Sequence, residues 1–191
     1  MKLILASNSW IRQQILDKSE FEYTVKSAEV DERKIEEANK DKPSQEMAKL
    51  LATTKAEAVA KDNPKDIVIG ADSFAVLDDG EVMHKPESHK EAVELCLKQS
   101  GKAITVYTGI AVVANGKTQT STSITRITYS KFSQELIEKL LDGDDATIRN
   151  AGLGLFIDAP GFTLVESYEG SYTGAMGLPM EILRKLLNNI A

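Results

Sequence analysis

The 191-residue sequence contains a single cysteine, Cys96, and has no excess of positive charge. One cysteine excludes an intramolecular disulfide framework and any zinc site built on cysteine ligands. The first apolar run ends at Ala6, far short of the roughly 18 apolar residues that a membrane span requires. The 23 lysines and arginines are outnumbered by 29 aspartates and glutamates, giving a net charge of −6, which argues against a general nucleic-acid-binding surface. We therefore expect a cytoplasmic protein without membrane or nucleic-acid partners.

The remaining composition is that of an ordinary globular protein. Hydrophobic residues make up 42% of the chain and charged residues 27%, and a chain of this length forms one domain with a sizeable core. Cys96 lies among apolar neighbours, so we expect it to be a small buried hydrophobic residue. The two histidines, His84 and His89, lack the spacing and companions of a zinc motif.

The order of apolar patterns predicts a mixed α/β fold. Strands are predicted at Lys2–Ala6, Tyr23–Ser27, Asp66–Gly70 continuing through Phe74–Leu77, Ala103–Ala114, Thr118–Tyr129 and Phe162–Glu166. Helices are predicted after Ser9, from Ser44, from the capping box Ser88-x-x-Glu91, after Ser133, and behind Pro179 over Met180–Leu187. The polar stretch from Glu29 to Lys42 is predicted to be the most mobile part of the chain. Asn115-Gly116 predicts a type I′ hairpin and hence an antiparallel pair, so a purely parallel sheet is not expected.

A strand-to-helix junction with two serines is the first candidate binding feature. Ser7 and Ser9 lie where free backbone N–H groups and the positive end of the helix dipole suit a phosphate. Arg12, one turn into the helix, can reach back as a charged fork. The alternative interpretation is that Ser9 is simply an N-cap and Arg12 a solvated side chain.

Lys55 and Asp72 interrupt otherwise apolar surroundings. Lys55 falls on or beside the apolar face of its helix, where it either meets an anion or extends its ammonium to solvent. Asp72 lies between the apolar runs IVIG and FAVL, a position that favours a metal, a cation or a catalytic role. The alternative for Asp72 is a turn residue at the end of a strand.

Asp31-Glu32 and Lys85 complete the inventory. The acidic pair can help to hold a hard cation through oxygen ligands, although a solvated charged loop is equally compatible. Lys85, held extended before Pro86, can present its ammonium to a cleft. Carboxylates, cations and a helix N-terminus in one small chain favour a magnesium–phosphate substrate. Neither a Walker-type glycine-lysine loop nor a Gly-x-Ser-x-Gly turn is present.

Several short motifs, in order along nearly the whole chain, resemble the Maf family of nucleoside triphosphate pyrophosphatases, the septum-formation-protein family. They are LILASNS with Arg12, Val30-Asp31-Glu32, Lys55 in TTKAEAVA, Ile69-Gly70-Ala71-Asp72-Ser73, Lys85-Pro86, Ser100-Gly101, Tyr107-Thr108-Gly109, Ala151-Gly152, and Glu169-Gly170-Ser171-Tyr172 leading to Gly177-Leu178-Pro179.

The resemblance implies a fold, a reaction and a set of site residues. It implies an elongated mixed α/β sheet with flanking helices, in one domain over residues 1–191 whose two lobes surround a cleft, as in inosine-triphosphate pyrophosphatases, and often a homodimer. It implies cleavage of a nucleoside triphosphate between its α- and β-phosphates with a divalent metal, magnesium or manganese. Asp72 and Glu32 would bind the metal and activate water, with Asp72 as the general base. The residues expected to hold the substrate are Ser7, Ser9, Arg12, Lys55, Lys85 and Asp158.

The sequence departs from the family pattern at several of these motifs. Ile11 replaces one of two adjacent arginines, His84 replaces the glycine before Lys85, and the segment LGLFIDAP replaces the family's specificity segment, with Asp158 near the position of a family Gln or Glu. Trp10 replaces a proline; it can stack on a base or pack over the loop, and packing is the expectation. The alternative function is therefore a nucleotide-binding protein of the same fold with impaired catalysis. An inosine-triphosphate pyrophosphatase is a third option, although its opening motif differs.

Overall fold

The computed structural model describes residues 2–142 and 164–190. The strands in these ranges are β1 (Leu3–Leu5), β2 (Tyr23–Val25), β3 (Ile67–Leu77), β4 (Val82–Met83), β5 (Ala103–Ala114), β6 (Lys117–Tyr129) and β7 (Val165–Glu169). The helices there are α1 (Trp10–Asp17), α2 (Glu32–Ala38), α3 (Ser44–Lys61), α4 (His89–Gln99), α5 (Gln134–Leu141), α6 (Tyr172–Ala175) and α7 (Met180–Ile190).

The strands form one mixed seven-stranded sheet in the order β2-β1-β3-β5-β6-β7, with β4 paired to β3 outside this path. Strand β1 pairs in parallel with β2 and β3, whereas β3, β5, β6 and β7 are successively antiparallel. The predicted mixed α/β fold with flanking helices is therefore confirmed. The two lobes and the homodimer stay predictions.

Local sequence signals explain where most of these elements begin and turn. Asn115 and Gly116 have φ of 52° and 72° at the hairpin between β5 and β6, as the type I′ turn requires. Ser88 accepts a hydrogen bond from the backbone N–H of Glu91 and so caps α4. Ser133 caps α5 in the same way. These predictions are confirmed, and Cys96 is fully buried as expected.

Two predicted segments differ from the structure. The stretch from Glu29 to Lys42, in which no helix was predicted, contains helix α2, which Asp31 caps by accepting from the N–H of Lys34; its mobility stays a prediction. The last strand, predicted at Phe162–Glu166, is observed at Val165–Glu169, and residues 162 and 163 lie outside the described ranges.

The alternation of side chains along the central strands divides the core into two layers. On one face, Ile4 and Val68 pack with the alanines of α3. On the other face, their neighbours Leu5 and Ile69 pack with apolar residues of α1 and α7. Farther along β3 and β5, a third cluster joins the sheet to α4 and α5. Across the described ranges, no helix is both long and apolar enough to span a membrane.

Two glycines allow α3 to approach the sheet closely. A Cβ at Gly70 of β3 would overlap the backbone oxygen of Ala52, and a Cβ at Gly109 of β5 would overlap the backbone of Ala48. Gly109 pairs directly with Asp72 across the two strands. The helix can therefore lie against the part of the sheet that carries Asp72.

This close approach predicts that Gly109→Ala is strongly destabilising. The added methyl group meets helix backbone, which cannot rotate away, so we expect a loss of about 2–3 kcal/mol in the free energy of unfolding, measured by urea denaturation. Gly80→Ala is the control, because nothing lies within 4 Å of its Cβ and only its positive φ of 90° is unfavourable. Equal losses in the two variants would contradict the proposed overlap.

Candidate active site

The centre of the candidate site is an ammonium group held between two carboxylates. Lys55 Nζ lies 2.6 Å from Asp72 Oδ1 and 2.8 Å from Glu32 Oε2. Lys55 and Asp72 are 8% and 9% exposed, whereas Glu32 lies toward solvent. The three residues come from α3, β3 and the first position of α2, so tertiary structure brings them together.

This geometry decides between the alternatives for Lys55 and Asp72. Lys55 does not extend its ammonium to solvent, because it donates to a buried carboxylate. Asp72 is not a turn residue, since it lies inside the continuous strand β3. Burial of a lone ammonium or carboxylate is costly, and each ion here offsets the cost of the other.

Arg12 is fixed beside this pair by three acceptors. Its Nε donates to Gly177 O at 2.8 Å, its Nη1 to Ser7 Oγ at 3.1 Å, and its Nη2 to Ser73 Oγ at 3.3 Å. Burial lowers the pKa of the Arg12 guanidinium, while the charges of Asp72 and Glu32 act in the opposite direction. The alternative of a solvated Arg12 is therefore wrong. This cation belongs to the same electrostatic cluster as the two carboxylates.

The two serines of the loop before α1 have different hydrogen-bond partners. Ser7 Oγ is buried and accepts from the N–H of Ser9 as well as from Arg12. Ser9 occupies the N-cap position, but its side chain makes no capping hydrogen bond. Its hydroxyl is thus not committed to the helix, contrary to the simple N-cap interpretation. Trp10 is 55% exposed, and its packing over the loop stays a prediction.

Two predicted site residues are not joined to this cluster. Lys85 is exposed between β4 and α4, and within residues 2–142 and 164–190 no hydrogen bond or ion pair links its ammonium to the residues above. Asp158 lies outside the described residues. The roles of both residues stay predictions.

Glu36 is a neighbour of the site that the sequence analysis missed. It is partly buried, and burial, followed by the charges of Asp72 and Glu32, raises its pKa above the ordinary value of 4.5. Lys55 and Arg33 act in the opposite direction. The i, i+4 spacing from Glu32 would have indicated Glu36 if the segment had been recognised as a helix.

The carboxylates near Lys55 do not by themselves form a complete metal cage. Among the described residues, no group of three or more His, Cys, Asp or Glu side chains is placed to hold a metal ion. Asp72 and Glu32 nevertheless lie close enough to share one ammonium. A pair of this kind matches the way proteins bind magnesium, through one or two carboxylates completed by water and substrate phosphates.

Removal of the Lys55 ammonium is expected to cost stability. Lys55→Met leaves the Asp72 carboxylate buried without its partner, so the free energy of unfolding at neutral pH should fall by about 3 kcal/mol, as measured by urea denaturation. Lys49→Met on the same helix is the control, because its exposed pair with Glu46 is worth less than about 1 kcal/mol. Similar losses in both variants would contradict the buried pair.

Neutralisation of Glu36 is expected to stabilise the protein. Its pKa is raised in the folded state, so its contribution to stability falls as pH rises from its unfolded pKa through the folded one. Glu36→Gln should therefore gain up to about 1 kcal/mol at pH 7, a small effect because solvent screens a partly exposed carboxylate. The gain should vanish below about pH 4, where the carboxyl is protonated in both states. Glu37→Gln, exposed on the same helix, should show no such pH dependence in thermal unfolding.

Comparison with known proteins places this arrangement in a family context. A dTTP/UTP pyrophosphatase of Pyrococcus abyssi is 36% identical over 97% of this chain and 94% of its own length. A 7-methyl-GTP pyrophosphatase of Bartonella henselae is 34% identical over 93% of this chain and 90% of its own length. Among solved structures, the Staphylococcus aureus Ham1 protein covers 68% of this chain and 72% of its own, with a TM-score of 0.43 and 17% identity.

A match to a protein-family model covers nearly the whole chain. The model described as "Maf-like protein" matches residues 2–190. The matched range therefore includes the serine loop, which is the segment between β1 and α1 with Ser7 and Ser9. It also includes Arg12 and the three residues of the charged cluster, Glu32, Lys55 and Asp72. The chain belongs to the Maf family.

Proposed function

We propose that the protein is a metal-dependent nucleoside triphosphate pyrophosphatase, which hydrolyses the α–β phosphoanhydride to a nucleoside monophosphate and pyrophosphate. The observation that carries this proposal is the Lys55 ammonium between Asp72 and Glu32, with the Arg12 guanidinium in the same cluster. Family membership supports it, as do the activities in the names of the two relatives.

Positive groups around the serine loop would bind the triphosphate. In a chain with a net charge of −6, an anionic substrate needs a local cluster of cations. Arg12 supplies a planar fork and Lys55 a point charge. Ser7 and Ser9 belong to the loop between β1 and α1, and their hydroxyl groups would lie beside the phosphates. Lys85 would add a further cation from the segment after β4.

A divalent cation, magnesium or manganese, would be held by Asp72 and Glu32 together with phosphate oxygens. The bound cation would supply charge neutralisation and a lowered pKa for water. Lys55 would then interact with the phosphates while remaining near the same carboxylates. Charge developing on the leaving pyrophosphate would be stabilised by Lys55 and Arg12.

Asp72 is the proposed general base. A water oxygen forms a bond to the α-phosphorus, the bridging P–O bond breaks, and pyrophosphate leaves with the electron pair. The water proton passes to the carboxylate of Asp72. A position inside β3 with 9% exposure holds this side chain in one orientation, as a base must be held within hydrogen-bonding reach of the proton it accepts.

The nucleobase that the enzyme prefers can be identified with a panel of substrates. The two relatives are named for pyrimidine triphosphates and for a modified purine triphosphate. The panel should therefore contain canonical and modified nucleoside triphosphates, each with magnesium, with manganese and with a chelator. Pyrophosphate release is the measurement.

Asp72→Asn is expected to abolish most of this activity. The amide keeps the shape of the side chain but accepts a proton poorly, so kcat should fall by about 10²–10⁴-fold. Asp79→Asn is the control, because Asp79 lies at an exposed turn after β3 and should retain full activity. Metal-dependent release of pyrophosphate that survives in Asp72→Asn would remove the assignment of Asp72 as the general base.

The substrate panel also tests the alternative function. Binding of a nucleotide, detected by thermal shift, without release of pyrophosphate from any substrate would favour the nucleotide-binding protein with impaired catalysis.

A further inference from the structure

A buried hydroxyl on β5 lies behind the arginine of the candidate site. Thr108 has no solvent exposure. Its Oγ1 lies 2.8 Å from Ser73 Oγ and 2.8 Å from the backbone oxygen of Gly174. Ser73 in turn accepts from Arg12 Nη2. Thr108 is thus two hydrogen bonds away from the guanidinium and does not itself face the site.

The chemistry of the partners fixes the direction of each hydrogen bond in this chain. The carbonyl of Gly174 can only accept, so the Thr108 hydroxyl must donate its proton to it. Thr108 then accepts from Ser73, which leaves the lone pairs of Ser73 facing the N–H of Arg12. The order of donation is Arg12 to Ser73, Ser73 to Thr108, and Thr108 to the carbonyl. This order resolves an orientation that the Ser73–Thr108 distance alone leaves open.

The chain closes into a ring through the segment before α7. The N–H of Gly177 donates to the same Gly174 oxygen at 3.0 Å, and the Gly177 carbonyl accepts from Arg12 Nε at 2.8 Å. Gly177 has a φ of +97°, and a Cβ there would lie 3.3 Å from Arg12 Nε. The ring therefore ties β3, β5 and the Gly174–Gly177 turn to one guanidinium.

We propose that Thr108 is a positioning residue, which orients the Arg12 guanidinium through Ser73 and the Gly174–Gly177 turn. Each terminal nitrogen of arginine carries two N–H groups, and protein acceptors take one from each. Within residues 2–142 and 164–190, no other acceptor engages the second N–H of either nitrogen, and its direction is set by the hydrogen bond that the first one makes. These N–H groups would meet the phosphates of a nucleoside triphosphate, an identification that rests on the proposed function.

The ring also assigns a role to Ser73. Its only hydroxyl proton is donated to Thr108, and its lone pair faces Arg12. Ser73 therefore acts on the substrate by holding the arginine, and it does not donate to a phosphate while the ring is intact. Loss of the Thr108 hydroxyl would free the Ser73 proton and loosen Arg12 at Nη2.

The test compares Thr108→Val, which keeps the shape of threonine without its hydroxyl, with Thr108→Ser, which keeps the hydroxyl. Thr125→Val is the matched control. The hydroxyl of Thr125 is equally buried and donates to the Ser171 carbonyl at 2.8 Å, so it anchors the neighbouring part of the same segment without reaching Arg12. Thermal unfolding of all variants shows whether each one is folded.

The first readout needs no nucleotide. The Nε–H signal of Arg12 in a ¹⁵N NMR spectrum is assigned by its loss in Arg12→Lys. Solvent exchange of this proton should be about tenfold faster in Thr108→Val. It should be unchanged in Thr108→Ser and Thr125→Val. An unaltered signal in Thr108→Val would overturn the proposal, even if the protein hydrolyses nucleotides as proposed.

The second readout is the affinity for the α,β-methylene analogue of the nucleotide that the wild type hydrolyses best, measured by calorimetry. Thr108→Val should weaken binding about tenfold, and the KM of the substrate should rise in parallel while kcat changes less. In an Arg12→Ala background, Thr108→Val should have no further effect. An undiminished loss in that background, or an equal loss in Thr125→Val, would overturn the proposal. A wild type that hydrolyses no nucleotide would overturn the proposed function, while the NMR readout still tests the positioning of Arg12.

Discussion

The site depends on the burial of one ammonium between two carboxylates. Lys55 can reach Asp72 only because α3 lies close to the sheet, and the helix lies close because Gly70 and Gly109 present no Cβ to its backbone. The ionic pair and the close packing therefore support each other. The helix places the cation, and the carboxylates stabilise a lysine that would otherwise be costly to bury.

Arg12 connects segments of the site that are far apart in the sequence. Its guanidinium is held by the loop after β1, by Ser73 of β3 and by the turn before α7, so residues near both ends of the sequence meet at one side chain. The proposed function requires an acidic protein to bind an anionic substrate, and a local concentration of fixed cations beside the acidic side chains would meet that requirement. A local cluster of cations can attract an anion even when the rest of the protein carries no excess of positive charge.

Much of the fold was predictable because its signals are local. Capping serines and the Asn115-Gly116 turn act within a few residues, and most strands and helices were found from such patterns. Helix α2 was missed because most of its residues are polar and none of them is fully buried. That miss also concealed Glu36, which the helix partly buries and places near the charges of Asp72 and Glu32. Thr108 lies in a motif noted in the sequence, but the role of its hydroxyl was not predictable, since its partners Ser73 and Gly174 are distant in sequence.

The sequence by itself determined the types of side chain available and the elements that carry them: serines before a helix, a lysine on an apolar helix face, and an aspartate between apolar runs. Periodicity and capping are properties of neighbouring residues, so they can be read without the fold. Only the tertiary structure decided that Glu32, Lys55 and Asp72 share one cluster and that Arg12 is held by Ser73 and Gly177. Those relations depend on strand order and on how closely α3 approaches the sheet, and such distances arise only when the whole core is packed.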